Sequence, residues 1–123
     1  MNRPTADATR GSATVLMLAG IGLVLVLTGV VVMVGVADQV RHRAGAAADA
    51  AALAAAASAL DGENAACDRG ADLAARNGAT LVSCSITDGI SDVTVAMTAP
   101  GVLAGLGPVR ARARAGPASV ANR

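Results

Sequence analysis

From Ala13 to Ala37 no residue carries a charge, and the run is dense in Val, Leu, Ile and Met. Bounded by Arg10 and Asp38, it exceeds the roughly 20 helical residues that cross a ~30 Å hydrocarbon core, which reads as a transmembrane helix. A buried core helix of the same composition would need protein on every side, and the rest of the chain is too short and too rich in Ala to supply it. A cleaved secretory signal is the rival, because Gly35-Val36-Ala37 before Asp38 has the small-x-small form that a signal peptidase accepts. The apolar stretch, however, outruns the ~7–15 residues usual for a signal core. Both readings put the remainder of the chain outside the cytoplasm. Arginine count does not orient the span, since Arg3 and Arg10 precede it and Arg41 and Arg43 follow it. Within it, Gly22 and Gly29 stand seven apart on one helical face, where small residues let helices approach closely in lipid. They are candidates for helix packing.

Composition limits what the other part can build. Of 123 residues, 54% are hydrophobic, yet Phe, Tyr and Trp are all absent. Aromatic rings supply the largest packets of buried area, so the soluble core must be thin. A formal net charge of +1 provides no field to attract nucleic acid, and without aromatic side chains there is no platform for base stacking. Nucleic acid is therefore excluded as a partner, and the lipid bilayer is the partner expected first.

Nothing interrupts the helix at the bilayer edge. Asp38 to Arg43 leads into an Ala-rich tract ending at Leu60, built from the strongest helix former. Asp38 is in register with Arg41 and His42 to support it. A helix from about Ala13 to Leu60 would be ~70 Å long, with Ala46, Leu53 and Leu60 as its expected buried stripe. Asp61-Gly62-Glu63-Asn64 stops it. A second helix is expected from Ala65 to Asn77, with Asn64 as N-cap, Gly78 as the left-handed residue after its end, and an Asp72–Arg76 pair on its wet face.

After Gly78 the period changes to two. Thr80 to Ile86 places Val82, Cys84 and Ile86 on one side, Asp88-Gly89 is a hairpin signal, and Asp92 to Thr98 turns Val93, Val95 and Met97 inward. A Gly/Pro-rich loop spans Pro100 to Pro108, and Val109 to Ala115 alternates as a third strand. The fold class is α+β: a long N-terminal transmembrane helix, a second short helix and a small three-stranded antiparallel sheet. The expected organisation is an arm at 1–12, the span at 13–37, the helix extension at 38–60, a domain at 61–115 and a loose tail at 116–123.

Few residues could carry chemistry. Cys67 and Cys84 both fall on the apolar face of their elements, by two independent periodicities. If helix packs on sheet, the thiols face each other, and a disulfide there would contribute about 3 kcal/mol to a domain short of core. The alternative is two buried thiols. The disulfide is favoured, and it implies an oxidising compartment. His42 is the only histidine and no CxxC exists, so no metal site is expected. No nucleophile elbow, carboxylate pair or phosphate loop stands out. The row Arg110, Arg112 and Arg114 could grip an acidic partner or lipid head groups, though the wet, charged face of an edge strand explains it better. Neither an enzyme nor a cofactor is expected.

The order of these features resembles the TadE-like proteins of the actinobacterial type, pilin-like components found with Flp (tight adherence) pilus and secretion gene clusters. The resemblance rests on Arg10-Gly11-Ser12-Ala13-Thr14-Val15-Leu16 opening the helix and on Arg41-His42-Arg43-Ala44 leading the tract to Ala57. It continues through Cys67, Asn77-Gly78-Ala79, Cys84, Val93-Thr94-Val95 and Arg110-Ala111-Arg112-Ala113. It implies a minor pilin-like or pseudopilin-like role, assembled helix to helix with other Tad, pilus or secretion membrane proteins. It also implies a plasma-membrane helix with a cytoplasmic N-terminus and an exposed C-terminal domain. Leu16 stands where pilin-type leaders carry Glu, five residues after the Gly at which they are processed. The alternatives are an accessory envelope protein that joins no filament and an exported protein released after Ala37.

Overall fold

The computed structural model describes residues 5–117, which fall into two compact units divided between Val36 and Ala37. Arg3 and the tail expected beyond Pro117 lie outside the described residues. Element order is α1 (Thr5–Ala57), a 3₁₀ turn (Ala59–Asp61), α2 (Glu63–Arg76), β1 (Thr80–Thr87), β2 (Ile90–Met97), a second 3₁₀ turn (Gly101–Leu106) and β3 (Val109–Ala115). The fold is α+β, with a three-stranded antiparallel sheet in the order β1-β2-β3.

The first unit is the apolar part of α1. It begins at Thr5, earlier than the Ala13 expected, because no proline stands between Thr5 and Ala57 to break the hydrogen-bond ladder. From Gly11 to Gly35 every side chain is exposed, including Leu18, Leu25, Val31 and Val34. Thr28 donates its hydroxyl to the Val24 carbonyl at 2.8 Å, so its polar group is satisfied within the helix.

The second unit has its core where the later part of α1 meets the sheet. The buried stripe is Val40, Ala44, Ala47, Ala48, Ala51, Ala52 and Ala55, packed with Val93, Val95, Met97 and Ala113. The expected stripe is therefore wrong: Ala46 is exposed, Leu53 is 64% exposed and Leu60 fully so. The reason is complementary bulk. The sheet contributes the large side chains, so the helix must contribute the small ones for the two layers to close at native density. Hydrophobicity alone favours leucine; close approach favours alanine. The same logic holds between helices, where a Cβ on Gly70 would lie 3.1 Å from the Ala51 carbonyl oxygen and 3.4 Å from the Ala55 Cβ.

Ser91 is fully buried, and its hydroxyl donates to the Ala52 carbonyl at 2.7 Å, with the Ala115 carbonyl at 3.2 Å. This one side chain ties β2 to α1 beside β3. Helix α1 ends at Ala57, and the expected last turn to Leu60 is the tighter 3₁₀ form closed by Gly62 at φ 102°. Asn64 is not the N-cap: Gly62 takes that place and Asn64 is the second helical residue. Glu63 then sits in the first turn, where its charge complements the helix dipole.

The C-terminus of α2 follows the expectation. Gly78 adopts φ 75°, its N–H bonds the Ala75 carbonyl, and the Ala79 N–H bonds that of Ala74 at 2.9 Å. These paired bonds are a Schellman closure. Asp88 (φ 52°) and Gly89 (φ 76°) form the two-residue hairpin turn between β1 and β2, both left-handed as the twist of the strands requires. In β1 the inward set is Leu81, Cys84 and Ile86, while Val82 is 47% exposed. The expected alternation fails there because the pairing with β2 slips between Leu81 and Ser83, and one extra residue exchanges the two faces. The Pro100–Pro108 loop is likewise not featureless, since Gly101–Leu106 winds into a 3₁₀ turn whose Leu103 packs on the core.

Candidate interaction surfaces

Gly22 and Gly29 lie on the exposed apolar part of α1, and a Cβ at either would meet nothing within 4 Å. Neither glycine is demanded by packing inside the chain. Helix α1 is the only described element long and apolar enough to cross a membrane, and none of its apolar window is buried.

In the second unit the two cysteines are joined. Cys67 of α2 and Cys84 of β1 form a disulfide with a Cα–Cα distance of 5.9 Å. They meet because α2 lies over the face of β1 that carries Leu81 and Ile86. The bond staples the second helix to an edge strand.

The arginine row lies on β3, the opposite edge, and its members differ. Arg112 and Arg114 converge on Asp92 of the central strand. Arg112 Nε donates to Asp92 Oδ1 at 2.7 Å, its Nη2 donates to Oδ2, and Arg114 Nε donates to Oδ2 at 2.7 Å. Register makes this possible, since Asp92 is paired with Arg114, and Arg112 is one step of the same face away. Arg110 has no ion-pair partner among the described residues. Asp92 is the organiser of this face, a role that its own strand does not reveal. Its alternation within β2 placed it outward, but only the β2–β3 register names its partners.

Hydrogen bonds from Arg112 and then Arg114 hold the Asp92 carboxyl well below the usual carboxylate range. The folded state therefore prefers the ionised form. Its contribution is complete above the unfolded carboxylate value of about 3.9 and is lost as pH falls below it. The Asp92→Asn variant is expected to melt below the parent at neutral pH. The gap in Tm closes as the pH is taken below about 4. Thermal melts of both proteins across that range check this, and a gap independent of pH refutes it.

Elsewhere the charges are ordinary surface pairs. Arg76 Nε and Asp72 Oδ2 are 3.0 Å apart and His42 Nε2 lies 3.6 Å from Asp38 Oδ2, each one helical turn apart and well exposed. Such pairs contribute little. Among the described residues, no group of three His, Cys, Asp or Glu gathers to hold a metal ion.

Two further sets of apolar side chains are exposed on the C-terminal unit. One is on the 3₁₀ turn after β2, whose Val102 and Leu106 are 75% and 83% exposed. The other is the outward set of Leu53 and Leu60. Apolar residues in a thin-cored domain are naturally read as core, and only packing shows which are left over.

No curated protein and no solved structure matches the chain. A family model described as "Putative Flp pilus-assembly TadE/G-like" matches residues 11–58, which takes in the apolar run and the alanine stripe after it. Over residues 11–58 the chain is similar to the TadE/G-like family of Flp pilus-assembly proteins.

Proposed function

We propose that the chain is a non-enzymatic, membrane-anchored, pseudopilin-like component of a Flp-type pilus or secretion assembly. The observation that carries this reading is the coincidence of the TadE/G-like match with a helix whose apolar side chains from Val15 to Val34 are exposed among the described residues. A surface of that size in water would aggregate; in lipid it is solvated. The span is 13–37, preceded by the arm 1–12 on the cytoplasmic side of the plasma membrane. The extension 38–60 and the domain 61–115 stand outside. The Cys67–Cys84 bond supports that orientation, because disulfides persist in oxidising compartments.

Assembly is through the helix. Gly22 and Gly29 offer a face without side chains to a neighbouring apolar helix, where close approach replaces the hydrophobic effect as the source of affinity. Its partners are other Tad, pilus or secretion membrane proteins. The test is purification of the intact chain from membranes, with the pilus ATPase and platform proteins sought by mass spectrometry. Co-purification that is lost in a Gly22→Leu/Gly29→Leu variant is the expected result. Recovery only as a free monomer from an assembly-competent strain rejects the role. N-terminal sequencing of the mature chain tests the anchor: a start at Asp38 means release by signal peptidase, and a start at or before Ser12 retains the span.

A further inference from the structure

A groove of about 390 Å³ opens on the C-terminal unit, with Ala37, Val40, Arg41, Leu106, Val109 and Arg110 in its lining. Its charged lining is two guanidinium groups and no carboxylate. Asp38, the nearest acid in sequence, is not part of the lining and lies 3.6 Å from His42. Beside the groove is the 3₁₀ turn Gly101–Leu106, whose half-buried Leu103 packs against the core and which is bounded by Gly101 and Gly107 at φ 65° and 92°. The turn is fixed in place, yet Val102 and Leu106 are mostly exposed. A fixed apolar knob with a cationic collar is the chemistry of an element at a membrane interface. Apolar tips enter the acyl boundary there and arginines meet phosphate.

The groove's lining includes the very end of the uncharged run. Ala37 ends the uncharged run and also lines the groove, and Arg41 follows one helical turn later, about 6 Å along the axis. If the run lies in lipid, its boundary is within reach of the groove by chain connectivity alone. We propose that this groove seats a phospholipid headgroup, with the phosphate between Arg41 and Arg110 and with Val102 and Leu106 in the acyl boundary. It is a second membrane contact, made by the C-terminal unit itself, and it rests on the membrane-anchored reading above. Arg110 thereby has a role distinct from Arg112 and Arg114, whose charges are engaged by Asp92.

The full chain is reconstituted into vesicles of phosphatidylcholine, or of phosphatidylcholine mixed with phosphatidylglycerol, both doped with spin-labelled lipid. An environment-sensitive fluorophore is attached through Leu106→Cys or, as reference, Leu60→Cys, without reducing the native disulfide. Quenching at position 106 is expected to exceed that at 60 several-fold in the anionic vesicles. The association is expected to weaken about fivefold for each of Arg41→Gln and Arg110→Gln, with position 60 unaffected. Equal quenching at 106 and 60, in protein that resists alkaline extraction, overturns the headgroup site and leaves the anchor intact. Quenching at 106 that ignores both arginine substitutions and lipid charge also overturns it. Protein extracted by alkali overturns the anchor and the site together.

Discussion

Breaking the Cys67–Cys84 bond, by reduction or by Cys67→Ser/Cys84→Ser, is expected to lower the stability of the C-terminal unit by about 3 kcal/mol. The bond closes a loop over a sequence separation of 17, and in the chain-entropy account its main effect is to restrict the unfolded chain. The loss matters here because so little else holds α2 down. Its buried residues are Ala66, Gly70 and Ala74, which bring almost no side-chain area. For a unit of this size that loss lowers Tm by on the order of 15 °C. With no aromatic residue to report by fluorescence, hydrogen exchange on the detergent-solubilised full chain is the suitable measurement. Amides of α2 and β1 are expected to lose protection first. Unchanged protection there would mean that helix packing alone suffices.

Enlarging the alanine stripe is expected to be as damaging. Ala48 and Ala52 are 1% and 0% exposed, and they face a layer whose Val93 and Val95 are also fully buried. Ala48→Leu or Ala52→Leu adds three carbons where no space exists, forcing α1 away from β2 at a cost of about 3 kcal/mol. At position 52 the shift also stretches the Ser91 hydroxyl bond to the backbone, 2.7 Å in the intact protein. The control is the opposite change on the opposite face. Leu53→Ala and Leu60→Ala remove larger groups from exposed positions and are expected to alter stability by no more than about 0.5 kcal/mol. If the leucine truncations prove the costly ones and the alanine enlargements are tolerated, the packing described is inverted. Urea denaturation followed by far-ultraviolet circular dichroism separates the two outcomes.

These two experiments mark where local pattern stops being informative. Features set by near neighbours in the chain were legible from residues alone. The uncharged run up to Asp38, the Asp88-Gly89 turn, the Gly78 helix end and the alternation of Val109 to Ala115 each follow from backbone geometry within a few residues. The cysteine pair was legible for a related reason: two short periodicities, one of 3.6 and one of 2, independently turned both thiols toward the same interface.

What only the tertiary structure decided depends on more than one element at once. Leu53 and Leu60 are the most hydrophobic residues in the alanine tract, yet the face that packs is the smooth one, because the opposing sheet already supplies the bulk. A slip between Leu81 and Ser83 moved Val82 outward, and alternation within one strand cannot register an extra residue relative to its neighbour. Likewise Asp92 became the partner of Arg112 and Arg114, and not of Arg110, through the register of β2 against β3. Chemistry along a segment reports what that segment can form. Which face it buries and which charges it meets are properties of the surface brought against it.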